Sequence, residues 1–232
     1  MTVTSAKLRS TFPFFKDTPT ELLDKISPNI VEKSFRKGSV IFLEGSTGEE
    51  IFFIASGTVI VSTLNNSKKV VLSILREGDY FGEMALVMPG LARSATVETL
   101  TPTKLYSLRK SAFELLYDQD RAILVHLLLS SMERLNRANQ QIYDMTFLSV
   151  RARIIKRLLA LYDQYSLGDS KSEGPIPMKI THQQLADMVG AVRETVSKIV
   201  QELCDDGLIA IRQKMVYIAD PALLRRRLEK EA

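Results

Sequence analysis

Short runs rich in apolar and β-branched residues, bounded by turn signals, predict a series of β-strands in the first half of the chain. The pattern covers residues 31–36, 39–44, 50–55, 58–64, 70–75, 94–100 and 104–108. Turn signals separate these segments at Lys37-Gly38, Glu44-Gly45, Ser56-Gly57, Asn65-Asn66, Glu77-Gly78 and Pro89-Gly90. Many short strands at this spacing indicate an antiparallel barrel or jelly roll.

Helical spacing of apolar residues predicts helices on both sides of the strands. Short helices are expected within residues 8–30, where Thr18-Pro19 is placed to start one over residues 20–26. After the strands, the pattern predicts a short helix over residues 110–118. A long helix without proline or glycine follows over residues 120–147, and another over residues 149–165.

The long predicted helix carries a stripe of apolar and small residues at intervals of three and four. The stripe consists of Leu124, Leu128, Ser131, Leu135, Ala138, Ile142 and Met145. This spacing is that of a coiled-coil seam, which would pair two copies of the chain. Taken alone, however, the stripe favours packing of the helix against the strands of the same chain.

The last third of the chain has the order of elements of a winged helix-turn-helix. A polar loop over residues 166–177 precedes a short strand over residues 178–180. Thr181 caps a helix over residues 182–188, and Val189-Gly190-Ala191 forms the turn. A second helix covers residues 193–206, followed by a hairpin of residues 208–211 and 215–218 and a basic helix over residues 221–231.

Composition excludes several classes of function. One cysteine, Cys204, and two separated histidines lead us to expect no disulfide, iron–sulfur cluster, haem or metal site. No catalytic triad or P-loop is recognisable, so we expect no enzyme activity. The 232 residues contain no apolar run near the ~20 needed to span a membrane, and no signal-peptide core, which predicts a cytoplasmic protein without a membrane partner. The net charge of +4 permits nucleic-acid binding without requiring it.

Residues 78–97 have the composition of a site for one phosphate group. Gly82 lets backbone approach closely, and the short helical turn after it would present free N–H groups to an anion. Arg93 adds a fixed cation and Ser94 a hydroxyl. Glu83 would repel an anion unless it accepts hydrogen bonds from hydroxyls, so a ligand with both phosphate and ribose explains the set best. The alternative is a surface β-turn with an ordinary Glu83–Arg93 ion pair.

This stretch closely resembles the phosphate-binding cassette of cyclic-nucleotide-binding domains, in which G-E-x-A-L is followed by R-S-A-x-V. The resemblance implies that Glu83 binds the ribose 2′-hydroxyl and that Arg93 and Ser94 bind the phosphate of cyclic AMP (cAMP). The nucleotide-binding residues it implies are Val61, Leu72, Gly82, Glu83, Met84, Ala85, Arg93, Ser94, Ala138 and Asn139. The last two occupy base-contacting positions on the long helix. Ala138 lacks the hydroxyl common there, and Asn139 could equally be a solvated residue beside the seam.

The stretch R-E-T-V-S-K-I-V-Q-E-L resembles the recognition helix of the cyclic-AMP receptor protein and fumarate–nitrate regulator (CRP/FNR) family. Arginine can bridge guanine O6 and N7 and glutamate can accept from cytosine N4, which suits Arg193 and Glu194 to base edges. The DNA-contacting residues we expect are Thr181, Gln183, Arg193, Glu194, Thr195, Ser197 and Lys198. Lys198 stands where the family usually has arginine, which weakens one base contact. Val192 stands where the family often has serine or histidine, and its apolar side chain cannot bond the phosphate.

The resemblance covers nearly the whole chain and implies an α+β protein in three parts. These are a cyclic-nucleotide-binding β-roll (jelly roll) over residues 1–118, a dimerisation helix over residues 119–147 and a winged helix-turn-helix over residues 148–232. The implied function is a homodimeric transcription regulator, controlled by cAMP, that binds palindromic DNA with TGTGA-like half-sites. It is also expected to contact RNA polymerase, and the loop of residues 166–177 is the candidate for that contact by its position. One alternative is a regulator with a degenerate pocket or another effector. The other is a cyclic-nucleotide-controlled regulatory subunit that acts on a protein partner.

Overall fold

The computed structural model describes residues 3–65, 68–88, 90–165, 174–213 and 215–231. The chain forms two compact units. The first contains the chain up to Leu64 and resumes over Leu72–Asn136, and the second contains Asn65–Val71 and the chain from Arg137 onward. None of the described helices is long and apolar enough to cross a membrane.

The strands of the first unit form two antiparallel four-stranded sheets. Their bounds are β1 Val31–Phe35, β2 Val40–Phe42, β3 Glu50–Ser56, β4 Thr58–Asn65, β5 Lys68–Arg76, β6 Tyr80–Phe81, β7 Thr96–Thr99 and β8 Thr103–Arg109. One sheet has the order β1-β8-β3-β6 and the other β2-β7-β4-β5. The inward residues of both sheets meet in one core, made of Phe52, Ile54, Val59, Leu75, Phe81, Val97 and Leu105. The predicted β-roll is therefore confirmed.

Short helices cover the outer face of the first of these sheets. They are α1 Ser5–Thr11, α2 Thr20–Ile26, α3 Met84–Val87 and α4 Lys110–Gln119, with 3₁₀ turns at Pro13–Phe15 and Ser27–Asn29. A second core lies beneath them, in which Phe12, Phe14 and Phe15 contact Phe53 of β3. Because aromatic rings bury large apolar areas, these contacts hold the N-terminal helices against the sheet that ends at β6.

The long helix α5 spans Arg121–Phe147, as its sequence predicts. Ile123 is fully buried and belongs to the core under the N-terminal helices. In contrast, the seam residues Leu124, Leu128 and Leu135 are exposed in the single chain, as are Ile142 and Met145 further along. The interpretation in which this stripe packs on the strands of its own chain is therefore wrong. The stripe remains exposed, and a second protein surface could cover it.

The second unit is the predicted winged helix-turn-helix. Its elements are α6 Val150–Tyr165, β9 Gly174–Lys179, α7 His182–Val189, α8 Arg193–Asp205, β10 Ile209–Arg212, β11 Met215–Ile218 and α9 Pro221–Glu231. Arg151 of α6 joins three carboxylates: its guanidinium lies 3.0 Å from Glu202, 2.6 Å from Asp206 and 3.2 Å from Glu231. These contacts fix the end of the second motif helix and the terminal helix to α6.

Strand β9 corrects the prediction of a loop over residues 166–177. It starts at Gly174, and its described pairing with β11 completes a three-stranded sheet in the order β10-β11-β9. Pro175 and Pro177 argued for a loop, but proline is tolerated in an edge strand, where a missing N–H breaks no ladder. The remainder of that loop, with its candidate polymerase contact, lies outside the described residues, as do Asn66 and Pro89 of two predicted turns.

Candidate functional site

Gly82 sits between β6 and α3, where the predicted phosphate site begins. Its φ angle of +89° is one that side chains rarely permit. A Cβ atom added to Gly82 would stand 2.6 Å from Nη1 of Arg93, and one added to Gly48 would stand 2.0 Å from Nε of the same residue. Both glycines therefore make room for the Arg93 guanidinium inside the roll.

Arg93 is buried, with only 6% of its surface exposed. Nη1 donates to the Gly82 carbonyl at 2.7 Å and Nη2 to the Glu50 carbonyl at 2.8 Å, while the guanidinium carbon lies 4.3 Å from the centre of the Phe42 ring. Burial lowers the pKa of Arg93 from its ordinary value, against the opposing effect of Glu50 and Glu83. Arginine nevertheless remains charged in proteins, because its ordinary pKa is so high.

The Arg93 guanidinium has N–H donors that its two carbonyl hydrogen bonds do not use. It has five N–H groups, and the two carbonyl bonds use two of them. Its Nε is buried and bonds none of the described residues. The cation is thus already dehydrated and held in a fixed orientation, a state in which hydrogen bonds to an anion are strong.

Glu83 follows Gly82 directly and is 9% exposed. Its Oε1 accepts a hydrogen bond from Nη1 of Arg134 on α5 at 2.6 Å, whereas its Oε2 is buried without a partner among the described residues. Arg134 also donates to the Tyr80 carbonyl at 2.6 Å. The alternative of a surface β-turn with a Glu83–Arg93 ion pair is therefore wrong, because both residues are buried and the carboxylate pairs with Arg134.

Sequence reasoning missed Arg134, although a signal was available. Arg134 continues the face of α5 that carries the buried Ile123 and the half-buried Leu127, at intervals of four and seven residues. A charged residue on a face that packs against a protein core requires a partner. Glu83 is that partner, and the pair connects the long helix to the residue after Gly82.

We expect the variant Arg134→Met to unfold in urea with a free energy about 1–3 kcal/mol below that of the wild type. The loss arises because Glu83 keeps a buried charge after its partner is removed. Adding Glu83→Gln to Arg134→Met should recover part of the loss, since a neutral amide is less costly to bury. Equal stabilities of the wild type and Arg134→Met would contradict the pairing.

The other predicted nucleotide-binding residues of the first unit differ in exposure. Met84 and Ser94 are exposed, and the Ser94 hydroxyl lies 3.6 Å from the Met84 sulfur. Ala85 and Val61 are half-buried and Leu72 is exposed. Ala138 and Asn139 are exposed on the part of α5 that belongs to the second unit, and their role in base contact stays a prediction.

In the second unit, local interactions set the geometry of the helix-turn-helix. Thr181 caps α7 through a capping box in which its hydroxyl accepts from the Gln184 N–H and the Gln184 side chain accepts from the Thr181 N–H. Gly190 ends α7 with a φ angle of +67°, which suits glycine at the turn. A Cβ added at Gly190 would lie 3.1 Å from the Met145 side chain, so the end of α5 packs on this turn.

Helix α8 presents three charged side chains at its start. Arg193, Glu194 and Lys198 are exposed, while Val196, Val200 and Leu203 on the opposite face are buried. The remaining predicted DNA contacts are Thr181 and Gln183, which are exposed, and Thr195 and Ser197, which are half-buried. The Ser197 hydroxyl lies 2.8 Å from Nδ1 of His182 and is thus engaged in joining α7 to α8.

Family comparisons assign both units. Residues 32–120 match the cyclic nucleotide-binding domain, and residues 152–227 match the Crp-like helix-turn-helix domain. The chain is 30% identical over 181 residues to the cAMP-activated global transcriptional regulator CRP of Pasteurella multocida, which covers 78% of this chain and 86% of that protein. It is 27% identical over 218 residues to the CRP-like cAMP-activated global transcriptional regulator of Mycobacterium tuberculosis, with coverages of 92% and 95%.

Solved structures share the fold. A CRP-family transcriptional regulator from Thermus thermophilus superposes with a TM-score of 0.71 at 28% identity, covering 85% of this chain and 96% of that one. The c-di-GMP responsive global regulator CLP of Xanthomonas campestris superposes with a TM-score of 0.76 at 20% identity, with coverages of 87% and 99%. The chain belongs to the CRP/FNR family, whose members are DNA-binding transcription regulators and not enzymes, and it combines a cyclic nucleotide-binding domain with a Crp-like helix-turn-helix.

Proposed function

We propose that this protein is a homodimeric, cytoplasmic transcription regulator whose binding to palindromic DNA is controlled by cAMP in the N-terminal β-roll. One observation carries the proposal of a nucleotide effector. Glu83 and Arg93 are both buried next to Gly82, and each keeps a buried polar atom, Oε2 and Nε, that bonds none of the described residues. Buried polar atoms are normally paired, so these two call for a ligand that supplies both a donor and an acceptor.

Cyclic AMP has the required chemistry. Its ribose 2′-hydroxyl can donate to Oε2 of Glu83, and its phosphate oxygens can accept from Nε of Arg93. Ser94 adds a hydroxyl donor, and contact of the base with Asn139 stays a prediction from the family resemblance. The relatives in Pasteurella multocida and Mycobacterium tuberculosis, both described as cAMP-activated, support the same choice.

Another effector is the main alternative within the family. Ala138 lacks the hydroxyl usual at its position, and a protein of the same fold from Xanthomonas campestris is described as c-di-GMP responsive. Calorimetric titration of the full-length protein with cAMP, cyclic GMP and c-di-GMP separates these choices. We expect saturable binding that is tightest for cAMP. Tighter binding of either competitor, or no binding of cAMP, would overturn the effector assignment.

The exposed stripe on α5 supports a homodimer. Leu124, Leu128 and Leu135 lie on one face and are each about half exposed or more, an arrangement that burial against the same stripe of a second copy would relieve. A two-fold dimer presents two copies of α8, which accounts for a palindromic site. The helix-turn-helix argues against a regulatory subunit that acts on a protein partner, since such a subunit has no need of base-reading side chains.

Arg193 and Glu194 at the start of α8 support recognition of half-sites like TGTGA. We expect Arg193→Ala to cost about 1–3 kcal/mol of DNA-binding free energy and to relax the preference at one base pair of each half-site. Selection of binding sites from random DNA, with and without cAMP, measures both effects. Arg226→Ala, which removes an exposed arginine from α9 of the same unit, is the matched control and should leave the preference unaltered.

At the base pair that Lys198 contacts, we expect the protein to select its base less sharply than it would with an arginine. A lysine is a flexible point charge, whereas arginine presents a planar fork that fits guanine. Lys198→Arg should therefore sharpen selection at one position. Enrichment of non-palindromic DNA, or an Arg193→Ala protein with unchanged preference, would overturn the proposed DNA readout.

A contact with RNA polymerase belongs to the same proposal, and a pull-down of the DNA-bound dimer with polymerase tests it.

A further inference from the structure

The winged helix-turn-helix contains an apolar cavity that the functions above do not use. Its volume is about 220 Å³. The walls come from five elements and include Leu158 of α6, Leu185 of α7, Val200 of α8, Ile209 of β10 and Val216 of β11. All five side chains are buried. The cavity therefore lies where both helices of the motif meet the wing, inside one compact unit.

Part of the cavity lining is polar, and part of it is exposed to solvent. Thr181 and His182, at the start of α7, complete the lining, and Thr181 is exposed, as is the lining residue Ile211. The hydrogen bond between Nδ1 of His182 and Ser197 fixes the imidazole ring. Its Nε2 is the ring nitrogen that remains to bond a ligand.

Size and lining define the class of ligand. An engineered apolar cavity of about 150 Å³ stays dry and binds benzene. The present cavity, at about 220 Å³, has room for one such ring with a small substituent. A charged ligand is disfavoured, because the described lining residues have mostly aliphatic side chains and include no carboxylate, lysine or arginine to pair with it. A single hydroxyl, in contrast, could bond the imidazole of the lining residue His182.

We propose that this cavity binds a neutral monocyclic phenol, whose ring lies among Leu185, Val200 and Val216 and whose hydroxyl lies beside His182, and that this ligand changes the affinity for DNA. The second part rests on the proposed function. Since the walls include α8 and both strands of the hairpin, a ligand that binds one arrangement of these elements more tightly shifts the population toward it. The DNA affinity then changes by at most the ratio of the ligand's affinities for the two arrangements.

p-Cresol and toluene are matched probes, because they differ by a single hydroxyl group. Each is titrated into the full-length protein and followed by NMR of its leucine, valine and isoleucine methyl groups. We expect saturable shifts at Leu185, Val200 and Val216, with p-cresol about fivefold tighter than toluene, as one net hydrogen bond predicts. No saturable shift at these methyl groups would overturn the site, and equal affinities would overturn its assignment to a phenol.

Filled-cavity variants test the location. Val216→Phe places a ring inside the cavity and should abolish the shifts, and Ile209→Phe serves if circular dichroism shows that the first variant is unfolded. Shifts that persist in a folded variant would overturn the site. DNA affinity is then measured by fluorescence anisotropy with cAMP, with and without p-cresol. We expect at least a threefold change in the wild type and none in the variant. No change in the wild type overturns the regulatory part, whereas no DNA binding either with or without p-cresol overturns the proposed function instead.

Discussion

Leu135→Glu should convert the protein from a dimer to a monomer. Leu135 is 62% exposed in the single chain and lies near the middle of the α5 stripe, so pairing would bury it. Two carboxylates would then face each other without partners, at a cost of several kcal/mol per buried ion. We expect the dimer dissociation constant to rise by more than about a thousandfold, equivalent to about 4 kcal/mol. Light scattering at micromolar concentration measures the change directly.

Leu43→Glu is the matched control for this variant. Leu43 is 59% exposed, belongs to the same unit and is not part of the α5 stripe, so the same substitution there should leave the dimer intact. A monomeric wild type at micromolar concentration would contradict the proposal that two copies of α5 form a dimer interface. A dimeric Leu135→Glu protein would show that the contact lies elsewhere on the surface. Loss of dimerisation in both variants would point to general destabilisation, which circular dichroism detects independently.

Local patterns predicted most elements of the fold. Short apolar runs between turn signals located the strands of the roll, and three-four spacing of apolar residues located α5, because side chains repeat every two residues along a strand and about every 3.6 along a helix. The pattern failed at β9. There the signals for a loop were Gly174, which has no side chain to restrict its backbone, and Pro175 and Pro177, which lack a backbone N–H donor but can still lie in a paired strand. An edge strand needs donors on one side only, and no local signal reveals that β11 is available to pair with it.

In the candidate nucleotide site, too, the residues close together in sequence were predicted, whereas a residue brought in by tertiary packing was missed. Gly82, Glu83 and Arg93 lie within twelve residues, so their spacing alone indicates a shared site. Arg134 lies 51 residues from Glu83, and its role depends on how the roll and α5 pack. Periodicity assigns a side chain to a face of a helix but does not name the group that it meets across that face. The pairing of His182 with Ser197 between α7 and α8 was missed for the same reason.

Arg93→Leu should weaken cAMP binding at least tenfold while the second unit keeps its fold. The substitution removes the buried cation, and a hydrogen bond to a charged group is typically worth about 1.5–3 kcal/mol, so the affinity should fall by about 10- to 150-fold. Calorimetry measures the affinity. Thermal unfolding gives a second readout, since cAMP at one hundred times its dissociation constant should stabilise the wild type by about 2.7 kcal/mol and the variant far less.

Two further variants separate ligand binding from folding in this experiment. Arg93→Leu also leaves the Gly82 and Glu50 carbonyls without their donors, which destabilises the roll by itself. Arg93→Lys keeps the charge but loses the planar fork, so it should bind cAMP with an affinity between those of the wild type and Arg93→Leu. Arg36→Leu removes an exposed arginine from the same unit and should bind like the wild type. If a folded Arg93→Leu protein bound cAMP as tightly as the wild type, the phosphate would have to be held by other groups, and the role proposed for Arg93 would be wrong.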